Sequence, residues 1–159
     1  MMKGRRREDG VKEPSAAYGE AHAVPALPGA SIGVRARNQR ELIGQIRGGF
    51  PYRAAERMTR ELELTARELS EMLHIAPRTM ARRKREGRLQ ADESDRLYRI
   101  ATLVERAEEV LEGREAALRW LKSPKPALAG ASPLEFADTE VGIQEVEALL
   151  GRLEYGVFG

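Results

Sequence analysis

An all-α chain is predicted, and three observations predict it. Leucine, isoleucine and valine recur at three- and four-residue spacing in one segment after another from Asn38 onward, the pattern of helices with one apolar face. No stretch of useful length alternates apolar and polar residues as a half-buried strand would. Ser, Thr, Pro and Gly fall where helices begin and end. The 159 residues suffice for one ordinary domain or two small ones, and 42% hydrophobic residues are enough to bury a core despite 33% charged ones. No run approaches the roughly 18 apolar residues of a membrane span, and the N-terminus lacks the apolar core of a secretory signal. A cytoplasmic protein with no membrane partner is expected. There are no cysteines and only two histidines, His22 and His74, so disulfides, thiolate zinc sites, cysteine nucleophiles, a metal centre and a bound cofactor are not expected.

Residues 1–37 hold Pro14, Pro25, Pro28, Gly29 and Gly33 with no apolar period, and read as a mostly disordered arm with a short basic run, Lys3, Arg5, Arg6 and Arg7. Leu42, Ile43 and Ile46 then mark one face of a short helix that stops at Gly48 and Gly49. A second helix is expected over residues 53–62.

The stretch 63–89 carries the most information. Thr65 followed three residues later by Glu68 is a capping box, in which the hydroxyl takes an orphan backbone N–H and the carboxylate reaches back. Leu69, Met72 and Leu73 form the stripe of the helix it opens. His74, Ile75 and Ala76 make a turn, and Pro77 suits the first position of the next helix, where its fixed φ helps and its missing N–H costs nothing. That helix ends before Gly87. Two short helices joined by a three-residue turn form a helix-turn-helix. The second helix carries Arg78, Arg82, Arg83, Lys84 and Arg85. As a recognition helix it would place Arg78, Thr79 and Arg82 at base edges, with Arg83 and Arg85 on phosphates and Thr65 contacting DNA from the helix before. Arginine suits both tasks because its planar fork matches guanine edges and phosphates in pairs of hydrogen bonds. The competing reading is the charged solvent face of an ordinary helix. Thr65, Glu68, Leu69, Leu73, Ile75, Thr79 and Gly87 resemble the Xre-like phage repressor pattern. Ser70, His74 and Ala76 depart from it, and His74 stands where the turn needs a positive φ, at a cost on the order of 1 kcal/mol for a non-glycine residue.

Residues 91–112 read as a helix of roughly 30 Å, with Leu97, Ile100, Ala101, Val104, Ala107 and Leu111 at helical spacing and Glu105, Glu108, Glu109 and Glu112 as a solvated face. Gly113 ends it. Residues 114–122 form the next helix, with Trp120 either closing the core or acting as an interface anchor. Pro124, Pro126, Gly130 and Pro133 forbid a continuous helix through the loop that follows. Ser132 with Pro133 starts a short helix, and a last one spans residues 139–155 with Val146, Leu149, Leu150 and Leu153 along one side. Lys and Arg outnumber Asp and Glu 19 to 11 over residues 1–90 and are outnumbered 8 to 14 over residues 91–159. The halves thus carry about +8 and −6, a polarity that suits a polyanion at the front and a basic protein surface at the back.

The back half resembles the toxin-binding domain of the Xre/MbcA/ParS antitoxins. The resemblance rests on Glu115, Ala116, Ala117, Trp120 and Leu121, then Pro124, Pro126, Leu128, Gly130, Ser132 and Pro133. It continues through Thr139, Glu140 and Gly142 to Arg152, Glu154, Tyr155, Gly156 and Val157. It covers about residues 38–159 with the helix-turn-helix included. It implies a non-enzymatic antitoxin of a type II module, partnered by a toxin with a RES domain that degrades NAD, and binding the operator DNA of its own promoter. The resemblance further implies toxin contacts from Trp120, Pro124, Pro126, Arg152, Tyr155, Gly156, Val157 and Phe158, and a homodimer or a larger toxin–antitoxin assembly. The organisation expected is an arm at 1–37, a DNA-binding domain at 38–90 and a toxin-binding domain at 91–159. Two other readings stand beside it. One is a DNA-binding regulator whose back half only dimerises. The other is an enzyme, against which the missing cysteines, separated histidines and absent phosphate loop all argue.

Overall fold

Four helices start at a side chain that satisfies one of their own orphan amides. In a computed structural model of the chain, which describes residues 26–156, Asn38 accepts from the Glu41 amide at 2.9 Å and opens α1, Gln39–Gly48. After α2, Arg53–Glu61, the Thr65–Glu68 capping box opens α3, Ala66–Met72. Pro77 sits at the first position of α4, Pro77–Glu86, and Gly87 ends that helix at φ 76°. His74 has φ 55°, so the turn between α3 and α4 uses the left-handed geometry expected of it. The long helix α5, Ala91–Val110, is followed by α6, Arg114–Lys122. Ser132 caps α7, Pro133–Phe136, with Pro133 at its first position, and Thr139 caps α8, Glu140–Glu154, by accepting from the Gly142 amide at 3.0 Å.

The described residues thus hold eight helices and two 3-10 turns, Ala30–Ile32 before α1 and Pro126–Leu128 between α6 and α7. No strand occurs among the described residues, so the all-α prediction holds. Pro51 and Arg88 form an isolated antiparallel bridge. Around it the Tyr52 amide donates to the Gly87 carbonyl and the Leu89 amide to that of Phe50, both at 2.9 Å. This ties the α1–α2 corner to the α4–α5 corner, and the Phe50 amide donates to the buried Ser94 hydroxyl at 2.8 Å.

α5 is the spine. Leu97, Ile100, Ala101, Leu103, Val104 and Ala107 are all buried, a stripe too wide for a helix with one partner. The helix packs against α1, α6 and α8. Leu62 joins it from the end of α2, Leu69 and Leu73 from the helix-turn-helix, and Leu121, Val146 and Leu150 from the C-terminal helices, in one continuous core. Full burial of each such side chain is worth about 1.5–3 kcal/mol.

Two sequence expectations are corrected. Residues 26–37 are not part of a disordered arm: Ile32 and Val34 are buried in the core. The expected solvated face of α5 is also broken at Glu105. Its carboxylate accepts from the Gly29 amide at 3.0 Å, the Ser31 amide at 2.9 Å and the Ser31 hydroxyl at 2.6 Å, and so straps the segment across the helix. Periodicity carries no sign of an anchor 74 residues away in the chain. Residues 1–25, with His22 and the basic run, lie outside the described residues.

Candidate functional site

The recognition helix presents its basic side chains unequally. Arg78, Arg82, Lys84 and Arg85 are exposed and Thr79 is half-buried beside the core residue Met80. Arg83 lies on the Met80 side of α4 and turns inward. Its guanidinium grips Glu93 in a two-pronged pair, Nε to Oε2 at 2.8 Å and Nη2 to Oε1 at 2.9 Å, with both residues buried. Arg83 is therefore removed from the DNA-contacting set: with its guanidinium engaged on Glu93, it serves to fix α4 on α5. Burial alone would push the Glu93 carboxyl up. The Arg83 hydrogen bonds, the Gln90 amide and the Arg83 charge outweigh it and hold the carboxyl below its usual range.

Thr65 is exposed at the start of α3, its hydroxyl accepting from the Glu68 amide at 3.1 Å. The carboxylate of Glu68 returns to the Thr65 amide at 2.6 Å. That bond holds the Glu68 carboxyl below its usual range. Thr65, Arg78, Thr79, Arg82 and Arg85 belong to one helix-turn-helix, with the Thr65 hydroxyl in the capping box and Arg82 3.7 Å from the Glu86 carboxylate, and the buried Arg83 does not join them.

The C-terminal residues form a second surface. Along α8, Val141 (70% exposed), Glu145, Ala148, Arg152 and Tyr155 (77% exposed) follow one another at three- and four-residue steps, all outside the core. Val146 and Leu150 on the opposite side are fully buried. Tyr155 ends the helix and Gly156 turns the chain at φ 64°. Trp120 is half-buried on α6, with the Lys125 ammonium 5.4 Å from its ring centroid. Pro124 and Pro126 are exposed in the adjoining loop. Val157 and Phe158 lie outside the described residues. Among the described residues no cluster of three or more His, Asp and Glu side chains is placed to hold a metal ion, and no helix is long and apolar enough to cross a membrane.

Polar contacts join the two surfaces, and periodicity gave no sign of them. Arg114 of α6 pairs with Glu61 at 3.2 Å and donates to the carbonyls of Arg60 and Glu61 at the end of α2. Lys122 donates to the Glu63 carbonyl at 3.1 Å. Arg96 of α5 donates to the Leu73 carbonyl at 3.1 Å.

A helix-turn-helix and a second helical unit built on one spine define the class: a helix-turn-helix protein with a C-terminal partner-binding domain. Two family models match it in that order. They are an antitoxin Xre-like helix-turn-helix domain over residues 41–101 and the antitoxin Xre/MbcA/ParS C-terminal toxin-binding domain over residues 106–156. A protein named Antitoxin Xre from Yersinia enterocolitica is 30% identical over 129 residues, covering 80% of this chain and 87% of the relative. Another Antitoxin Xre, from Pseudomonas putida, is 32% identical over 117 residues, covering 73% and 72%. A Prs ADP-ribosylating antitoxin from Sphingobium sp. is 25% identical over 126 residues, covering 73% and 79%. The chain belongs to the Xre antitoxin family. The strap at residues 26–37 and its anchor Glu105 fall outside both matched intervals.

Proposed function

We propose that this antitoxin blocks a RES-domain, NAD-degrading toxin with the exposed face and terminus of α8 and represses its own operon through the helix-turn-helix. The observation that carries the toxin side is Tyr155, a large aromatic left 77% exposed at the end of α8 within the matched toxin-binding domain. Tyrosine is a favoured interface anchor, because it buries a large area while losing few rotamers. Val141 and Arg152 extend the same face, and Gly156, Val157 and Phe158 continue the chain beyond it. Trp120, Pro124 and Pro126 give the domain a further rim of apolar surface. The name of the Sphingobium relative joins an antitoxin to ADP-ribosylation. ADP-ribosyl transfer consumes NAD, which accords with an NAD-directed partner.

The chain binds and shields in this reading and performs no turnover itself, in cytoplasm shared with its toxin and promoter. Co-expression with the product of the adjacent gene tests it, followed by co-purification and an NAD assay. The expected result is a stable complex that stops NAD loss, with truncation after Glu154 weakening protection while the helical content is kept. A truncated chain that protects as well as the full one would remove the terminus from the blocking surface.

On the DNA side, Arg78 and Arg82 project from the first turns of α4, where a recognition helix meets base edges. Arg78→Ala is expected to lower affinity for the module's promoter by about 1–3 kcal/mol, roughly five- to 150-fold. Gel-shift titration checks it, and unchanged affinity would reject the recognition-helix assignment. The polarity of +8 and −6 between the two halves fits DNA at the front and a protein partner at the back.

A further inference from the structure

The far end of the recognition helix is fastened to a corner that carries two arginines. The Tyr52 amide donates to the Gly87 carbonyl and the Leu89 amide to that of Phe50, so the start of α2 lies against the end of α4. Arg53 is the first residue of α2 and Arg88 the second residue after α4. Both are exposed and both line one depression at this junction. Arg88 is held in place there, since its Nη1 donates to the carbonyls of Gly48 at 3.3 Å and Gly49 at 2.6 Å. Its other two nitrogens keep three N–H donors. Arg53 makes no ion pair among the described residues.

The charge balance at the corner favours an anion. The depression has one carboxylate, Glu41, which accepts from the Arg37 amide at 3.0 Å and the Arg37 guanidinium at 3.1 Å. Glu86, at the end of α4, is taken by Arg82 and Arg83. Glu56 stands one turn along α2, beside Tyr52. Two like charges thus line a depression whose single carboxylate already has a cation, and a bound anion relieves their repulsion. The location names the anion. α4 has ten residues and is about 15 Å long, whereas the major groove is about 12 Å wide and 8.5 Å deep. A recognition helix that meets base edges with its N-terminal residues therefore brings its last turn, and the residues after it, to the rim of the groove where the phosphates lie.

We infer that Arg53 and Arg88 form a contact with the phosphate backbone of the DNA duplex at the rim of the groove that α4 enters. This rests on the DNA-binding reading proposed above. Guanidinium groups suit the task because they meet phosphate oxygens with paired hydrogen bonds. The contact carries no sequence information and adds binding in proportion to the counterions it releases. Its second effect is on orientation: the corner is hydrogen-bonded to the end of α4, so anchoring the corner on the backbone sets the tilt at which Arg78 and Arg82 reach the bases.

The test compares the full-length chain with Arg53→Gln, Arg53→Lys, the double variant Arg53→Gln with Arg88→Gln, and Arg78→Ala. Each is titrated against the DNA upstream of its own gene and a random duplex of equal length at several salt concentrations. Each phosphate neutralised adds about 0.9 to the slope of log affinity against log salt, which amounts to roughly fivefold in affinity near 0.15 M. Arg53→Gln is expected to lose about that factor on both duplexes and to flatten the slope by about one. The double variant is expected to lose roughly 30-fold and to flatten the slope by about two. Arg53→Lys keeps the charge and should keep the wild-type slope. Wild-type affinity in Arg53→Gln and in the double variant, while Arg78→Ala has lost its own, would overturn this inference and leave the DNA-binding reading standing. An affinity loss with an unchanged slope would also overturn it, by showing that the corner acts only through the seat of α4. So would unchanged DNA affinity with lost co-purification of the adjacent gene's product, which would assign the corner to a protein partner. A wild-type chain that binds neither duplex would overturn the DNA-binding reading and this inference with it.

Discussion

Glu93→Ala is expected to cost about 3–5 kcal/mol of stability and to abolish promoter binding. The substitution leaves the buried Arg83 guanidinium with only its longer contact to Glu86, at 3.5 Å, and without the close two-pronged partner whose loss makes breaking an internal ion pair so costly. It also removes the acceptor of the Gln90 amide, at 2.8 Å, from the start of α5. Glu93 couples the body of the recognition helix to the spine, so its loss reaches the DNA surface as well as the core. Urea unfolding checks the stability, and a wild-type midpoint would show the pair to be dispensable. The double variant Arg83→Met with Glu93→Leu should recover much of the loss, since apolar residues of similar volume need no counter-charge. The pH dependence has a definite sign. The folded carboxyl titrates below its unfolded value, so its stabilisation is complete above about pH 4.3 and is lost as pH falls through the folded pKa. Glu93→Gln should remove this acid-linked part of the stability.

Gly142→Ala is expected to be the most damaging single-methyl change in the toxin-binding domain. A Cβ at this position would lie 1.8 Å from the Phe136 carbonyl oxygen and 2.9 Å from its carbon. Both are backbone atoms at the end of α7 and cannot swing aside as a side chain would. α8 would have to withdraw from α7, and with it the Thr139 cap, whose oxygen lies 3.1 Å from the same point. Overpacking of a core typically costs 1–3 kcal/mol, and the rigid neighbour places this case at about 3 kcal/mol, roughly 10 °C in the midpoint. Thermal unfolding measures the loss, and co-purification with the toxin should fail in parallel because α8 carries the exposed Val141–Tyr155 face. A variant with the wild-type melting temperature would mean that the α7–α8 junction tolerates a shift of more than an ångström.

Much of this architecture is written locally. Asn38, Thr65, Ser132 and Thr139 each cap a helix by bonding to an amide three residues ahead, and Pro77 and Pro133 each occupy a first helical position. Those interactions span three or four residues, so they can be read from spacing alone. Thr65 was likewise legible as the cap of the first helix of the pair, and Arg78, Arg82 and Arg85 as residues of the second, where all three are exposed. Arg83 was not separated from its basic neighbours, although a signal existed: it lies three residues after Met80, on the face that is buried. A charge on an apolar face calls for a partner, and Glu93 ten residues later provides it.

What the sequence determined by itself is the all-α class, the positions of the helix starts, the helix-turn-helix and the family resemblance of the back half, because each depends on short-range geometry or on an ordered motif. The tertiary structure alone decided three things. It turned Arg83 into a structural clamp, made Glu105 the anchor of a strap that reads as featureless chain, and laid α6 across the α2–α3 corner with Lys122 on the Glu63 carbonyl. Each joins groups between 10 and 76 residues apart. Such contacts exist only once hydrophobic burial has brought α5 into contact with both ends of the chain, and no local period encodes them.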